Sequence, residues 1–349
     1  MRKEALEKSI TTLSVFFLLS LFIFSIPSFA QQPPVKPIEL KFASISSPTH
    51  VLNVKVHKPW IEQVEKASNG RLKITLFVGG VLGGAKQAYD LASKGIADIS
   101  YGWVHYHPGR FPLTEVYTLP SVVPDLDSAY HIRDVYQKYF KKEWSDTRLL
   151  WLGLAPGYNL QTRNKKINKV EDIKGLKLAA WGSISTKVVR ALGAVPIDVT
   201  TQDTYTALQR GVVDGCINTW SSAAANKHGE VMQYFTNNTR FYTGVLYCTM
   251  NLDKYKSLPP ELRKVIDDNT GPDAWRVASK AYWDDEEQAI KKVMEQTAGK
   301  GVNYSLPPEE LKKIRVLMKP IWDEWEANLQ SKKLPAKEVL DTVLKYAKE

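Results

Sequence analysis

Residues 205–215 read YTALQRGVVDG, and residues 89–99 read YDLASKGIADI. Each stretch sets a Tyr at the start of a helix and a basic residue at its end, Lys94 in one and Arg210 in the other. Gly95 and Gly211 follow, at the position where glycine ends a helix because the left-handed conformation costs it little. Two apolar residues and an aspartate complete each unit, with Asp98 and Asp214 expected to close the short strand after the helix. One helix–Gly–strand–Asp unit written twice implies twin α/β lobes with a cleft between them. Ligands favour domain interfaces and the carboxyl ends of strands in α/β sheets.

The same rhythm runs outward in both directions. Upstream, Glu39–Ala43 and Leu72–Val78 alternate as strands around a helix at Lys55–Ser68, and Ile96–Tyr101 is a strand after the helix Ala85–Lys94. Downstream, strands are predicted at Leu149–Leu154, Leu176–Trp181, Pro196–Val199 and Val212–Asn218, with helices at Ser183–Leu192 and Asp203–Arg210. From Asp273 the chain turns helical: one long helix over Asp273–Thr297, then Pro308–Leu329 and Lys337–Ala347. This alternation is the pattern of an α/β fold with helices covering its sheets.

The first 30 residues read as a secretory leader. Arg2, Lys3 and Lys8 precede an apolar run from Leu13 to Ile26, and small residues at Ser28 and Ala30 suit cleavage after Ala30. The run is shorter than the ~20 residues of a membrane span. A periplasmic, secreted chain is therefore expected. The remaining length suggests two domains. Net charge is +10, and the leader's three Lys/Arg and two Glu leave +9 on the rest. The only dense basic cluster, Arg163-Asn164-Lys165-Lys166, has no interleaved aromatics, so no nucleic-acid partner is expected. Cys216 and Cys248 are the only cysteines; pairing and two buried thiols are both open.

Enzyme chemistry finds no motif. The Gly79–Gly84 loop lacks a Gly-Lys-Ser/Thr ending and reads as a turn, and His105-Tyr106-His107 lacks a third metal ligand and reads as loop histidines. No cofactor or metal is expected. Trp103, Trp181 and Trp220 each follow a predicted strand, where a pocket wall or the core would take them.

Several blocks resemble the extracytoplasmic solute receptors of tripartite ATP-independent periplasmic (TRAP) transporters, the dicarboxylate-receptor (DctP) type. They are KGIAD at 94–98, PGRFPLTEVYTLP at 108–120, NKVEDIKGLK at 168–177, and LGAVPIDVTTQDTYTALQRGVVDGCIN at 192–218. The resemblance implies a two-lobed periplasmic solute-binding fold, type II-like, with hinged lobes, a ligand cleft and a long helix crossing both. It implies lobe I from 31–157 plus about 245–280, and lobe II from 158–244 plus about 281–349. It also implies a small-molecule ligand delivered to TRAP membrane permease subunits. Monomer and homodimer are both open, the helical tail after Pro308 being the part that would support a dimer. A sensory binding protein of the same fold and a secreted α/β enzyme are the competing classes.

One departure bears on the ligand. The family's carboxylate-clamping Arg falls on Ala179, and a second family Arg falls on Asn159, whereas the family Asn is kept as Asn218. An organic acid is still expected, held by the helix start near Ser183 or by Arg110, Arg163 or Arg190. The alternative is an aromatic or cationic ligand against Trp103, Trp181, Trp220, Tyr101 and Tyr205.

Overall fold

A computed structural model describes residues 36–347 apart from Gln202; the expected leader lies outside the described residues. The two copies of the helix–Gly–strand–Asp unit organise two separate sheets. The first holds β1 (Ile38–Ser44), β2 (Leu72–Phe77), β3 (Ile99–Trp103), β4 (Thr147–Leu154) and β10 (Val245–Asn251), in the order β2-β1-β3-β10-β4. The second holds β5 (Asn159–Thr162), β6 (Lys177–Ala180), β7 (Val195–Asp198), β8 (Gly215–Asn218), β9 (Tyr234–Thr236) and β11 (Val302–Tyr304), in the order β11-β9-β5-β8-β6-β7. In each, the strand after the repeat lies parallel to one neighbour and antiparallel to the other: β3 between β1 and β10, β8 between β6 and β5.

The repeated aspartates explain why. Asp98 precedes β3 and Asp214 precedes β8, so they open these strands rather than close them. The Asp98 carboxylate accepts the Lys41 N–H at 2.7 Å, and its own N–H donates to the Lys41 carbonyl at 3.0 Å. Asp214 does the same with Lys177, at 2.8 and 2.7 Å. Each aspartate carbonyl then accepts from the antiparallel neighbour, from Asn251 in the first sheet and Arg163 in the second. One residue thus pins the register of three strands, by charge-assisted bonds to otherwise unpaired backbone groups. Gly95 and Gly211 sit at φ of +70° and +73°.

Helices cover the sheets. α1 (Lys58–Ala67) and α2 (Ala88–Ser93) belong to the first, and α3 (Gly182–Ala191), α4 (Thr204–Gln209) and α5 (Trp220–Ala225) to the second. The single helix expected over 273–297 is two, α6 (Pro272–Asp284) and α7 (Glu286–Gln296), interrupted only at Asp285. α6 packs on β4, and α7 packs on α5. The Asp285 carboxylate accepts from Lys55 at 3.0 Å and from the Ser221 hydroxyl at 2.8 Å, one partner from each half. Side-chain pull from both sides at the crossing point is our account of the break.

Two further segments cross between the sheets, β4 to β5 and β9 to β10, and they pair with each other. Ala155 N–H donates to the Gly244 carbonyl, Tyr158 N–H to Tyr242 and Phe241 N–H to Tyr158, each at 2.9 Å. The tail is shared. α8 (Pro308–Ser331) begins on the second half, where Glu310 accepts the Val170 N–H, and ends on the first, where the Trp322 and Trp325 indoles donate to the carbonyls of Pro120 and Pro112. α9 (Ala336–Tyr346) packs on the first half, with Glu338 accepting from Tyr139. Residues 281–349 were expected with the second lobe; past its middle α8 touches both halves, through Trp322 and Trp325 on the first and through Glu324, which pairs with Lys187 of α3 at 3.0 Å. Cys216 and Cys248 lie in different sheets as buried free thiols. No described helix is long and apolar enough to cross a membrane.

Candidate ligand-binding site

A cavity of about 140 Å³ lies between the two sheets. Its walls come from the carboxyl ends of parallel strands: Ile45–Pro48 after β1, Trp103–Tyr106 around the end of β3, Trp181 after β6, Thr201 after β7, and Asn218 with Ser222 around the end of β8. The crossing segments add Tyr158 and Tyr282. Loops leaving parallel strands gather there because every such strand points the same way in its sheet. The volume is below the ~300–1,000 Å³ of drug-sized pockets, so a single ring or a short acid fits it.

Contacts across the cavity's rim hold the halves together. The Tyr106 and Thr201 hydroxyls are 2.6 Å apart, and Lys86 pairs with Asp198 at 3.0 Å. Backbone meets backbone at Gly182, the first residue of α3, with φ +80°. A Cβ there would lie 2.9 Å from the His105 carbonyl carbon and closer still to its oxygen. Glycine supplies both the left-handed conformation and the room.

The cavity is aromatic, and no Lys, Arg, Asp or Glu among the described residues lines it. Trp103 stacks on His105 with ring centroids 5.7 Å apart, and Tyr282 stacks on His50 at 5.4 Å. Trp181 is tethered by its indole N–H, which donates to Thr204 at 3.2 Å. Polar groups interrupt the aromatic wall. His50 Nδ1 accepts the Leu52 N–H at 3.2 Å, which leaves the ring proton on Nε2 as a donor. Asn218 Oδ1 accepts from Thr219 N–H at 2.9 Å, and its amide faces His228 Nδ1 at 3.4 Å. The Tyr158 hydroxyl makes no hydrogen bond among the described residues, while its ring stacks on Tyr242 at 4.6 Å. Burial holds the imidazoles neutral. It lowers His105 to about 3, with His107 adding to the effect, and lowers His50 to about 4 against the opposing pull of Asp285.

Of the residues singled out from sequence, Trp103, Trp181 and Asn218 line the cavity. The others do not. Trp220 opens α5 and turns into the core, stacked on Phe235 at 5.4 Å. Tyr101 is wholly buried in β3. Asn159 serves the chain crossing: its Oδ1 accepts from the Thr239 hydroxyl and Arg240 N–H, and its amide donates to Gly157. Ala179 is wholly buried in β6, beneath the cavity rather than in its wall. Tyr205 donates to Glu230 on an outer face. The substitute arginines are elsewhere as well: Arg110 pairs with Asp146 over the Tyr89 ring, and neither Arg163 nor Arg190 reaches the cavity.

His105 and His107 are not loop-surface residues. His105 is buried against the cavity, whereas His107 turns away to Tyr247 at 2.9 Å. Sequence reasoning missed His50, His105, Tyr106, Tyr158 and Tyr282 as site residues. The rule that ligands meet strand ends, applied to Ser46–His50 and His105 as it was to the tryptophans, points to the first three.

The chain belongs to the bacterial extracellular solute-binding protein family 7 (DctP), whose sequence model matches residues 42–328. It is a TRAP-type solute receptor and not an enzyme. It is 25% identical over 290 residues to the sialic acid-binding periplasmic protein SiaP of Vibrio cholerae, covering 77% of this chain and 82% of the relative. Two solved structures share 26% identity with it. A TRAP solute-binding protein from Rhodoferax ferrireducens in complex with copurified benzoate superposes with a TM-score of 0.81, over 89% of this chain and 97% of that one. A marine metagenome TRAP solute-binding protein specific for aromatic acid ligands, in complex with metahydroxyphenylacetate, gives 0.84 over 89% and 98%.

Proposed function

We propose that this chain is a periplasmic receptor for a small aromatic monocarboxylic acid, which it hands to TRAP permease subunits in the membrane. The observation that carries the reading is the cavity itself: about 140 Å³, walled by Trp103, Trp181, Tyr106, Tyr158 and Tyr282, with no charged side chain among the described residues. Aromatic walls favour a flat ring through offset and edge contacts. His50 and Tyr158 offer neutral donors at one side, suited to a carboxylate; no acceptor of full negative charge is present for a cation. The benzoate and metahydroxyphenylacetate complexes of the 26%-identical proteins support the same class.

Delivery requires a leader cut after Ala30 and a hinge. The proposed halves are 37–157 with 245–284 and the tail beyond Pro320, against 158–244 with 286–319. The ligand touches both only when they are together, so it shifts the population toward the closed form that a permease reads. Calorimetric titration with benzoate, benzamide and benzylamine tests the ligand class. The reading expects benzoate alone to bind tightly. Equal binding of benzamide, or preference for benzylamine, overturns it.

A further inference from the structure

Among the described residues, the cavity offers an organic anion no fixed positive charge. Two buried imidazoles, His50 and His105, are its only basic groups, and they are not equivalent. A second proton on His50 would set Nδ1–H against the Leu52 N–H that now donates to it. His105 makes no hydrogen bond at either ring nitrogen among the described residues, and its Nδ1 is sealed from solvent. With the neutral ring's one proton on the sealed Nδ1, the second proton goes to Nε2, the nitrogen left for a ligand. Of the two, His105 alone can take a second proton without breaking a bond.

We propose that His105 is the charge partner of the ligand, so that the acid binds as its carboxylate together with one proton from solvent. The complex then holds a carboxylate–imidazolium pair. This rests on the aromatic-acid reading above. The proton balance is simple: a carboxylate and a neutral imidazole enter, one proton is taken from the buffer, and the site's net charge stays at zero. Such neutrality suits an enclosed aromatic cavity, where an uncompensated carboxylate would be costly.

The surroundings of His105 agree. Trp103 and Tyr106 pack on its ring, and α3 meets it through the Gly182 backbone. The titratable groups on neighbouring elements are the hydroxyls of Tyr106, Tyr158 and Tyr282, with His107 and His50. Asp285 lies beyond His50 and is engaged by Lys55 and Ser221; Asp198, past Thr201, is paired with Lys86. No protein carboxylate acts on His105, so burial keeps it neutral until a ligand brings one. An opposite charge within ~4–6 Å favours the charged form.

The test is calorimetric titration of the mature protein with benzoate at pH 6, in phosphate and in Bis-Tris, whose ionisation enthalpies differ. The difference in apparent enthalpy counts protons. The expected result is uptake of about half to one proton per benzoate, and a Kd three- to tenfold weaker at pH 7 than at pH 6. His105→Gln is expected to remove the uptake and weaken Kd at pH 6 at least tenfold, while His50→Gln binds more weakly with the uptake kept. Tight benzoate binding with no uptake by the parent protein overturns the charge-partner role and leaves the aromatic-acid reading standing. Unchanged uptake in His105→Gln also overturns it, because the proton then sits on the ligand's own carboxyl. Failure of benzoate to bind where benzamide or benzylamine does overturns both. The parent protein's buffer series decides the proton count even if the variant does not fold.

Discussion

Gly182→Ala should separate closure from folding. Two costs apply to an alanine there. The left-handed backbone at φ +80° costs about 1–2 kcal/mol for any L residue, in the open and closed forms alike. The second cost exists only when the halves meet. The new Cβ would sit 2.9 Å from the His105 carbonyl carbon, against ~3.5–4.0 Å for an ordinary carbon–carbon contact. Both partners are backbone, so no rotamer change relieves the overlap and the halves must part by more than about half an ångström. That separation strains the Tyr106–Thr201 hydrogen bond and the Lys86–Asp198 pair. The first is worth about 1 kcal/mol; the second is exposed and worth little. Closing is therefore disfavoured by about 1–3 kcal/mol, which lowers ligand affinity roughly 5- to 150-fold. Gly175→Ala is the control: φ is +78° there, but a Cβ meets nothing within 4 Å. Urea unfolding should show a similar loss of about 1–2 kcal/mol for both variants, and titration with 3-hydroxybenzoate should show weakened binding only for Gly182→Ala. Equal affinities for the two variants would refute the reasoning.

Stability should fall in mild acid. Burial lowers His57 and His105 to about 3 and His50, His107 and His228 to about 4. Each depressed group contributes stability that is present above the ordinary value near 6.5 and lost as pH falls toward the folded value, by up to ~1.4 kcal/mol per pH unit. Glu115, raised to about 7 chiefly by burial, acts in the opposite sense, as do Glu143 and Glu286, which burial also raises, but these are three groups against five. The urea midpoint should therefore drop steeply between pH 6.5 and 4.5; a flat profile contradicts the burial of these imidazoles. Tyr158→Phe removes a hydroxyl that makes no hydrogen bond among the described residues, so the melting curve should not move. Benzoate affinity should still fall by ~1.5–3 kcal/mol, the worth of a hydrogen bond to a charged group; unchanged affinity in that variant removes Tyr158 from the site.

The twin-unit fold was legible because its cause is local. A basic helix end, a left-handed glycine and an aspartate that pins its neighbours all lie within eleven residues of each other. The direction of that pinning was not legible: Asp98 and Asp214 reach Lys41 and Lys177, which only the assembled sheet brings near. The resemblance to the family implied that Ala179 and Asn159 stand where arginines are usual, yet it could not say what fills the gap. The cavity joins His50, His105, Tyr158 and Tyr282 from four distant stretches. Trp220 shows the limit of position alone. It follows a strand as Trp103 and Trp181 do, but it begins a helix whose inner face it must fill. The break at Asp285 falls within Asp284-Asp285-Glu286-Glu287, where weak helix formers and like charges already loosen a helix, and the Lys55 and Ser221 contacts add a tertiary pull.

Small-angle scattering of the mature protein, with and without saturating 3-hydroxybenzoate, reaches the hinge itself. The free protein should give a larger radius of gyration than the closed arrangement described above, and the added acid should contract it to that arrangement. Superimposable profiles at a ligand concentration shown by calorimetry to fill the site would mean that the halves do not move, and that capture does not work by closure.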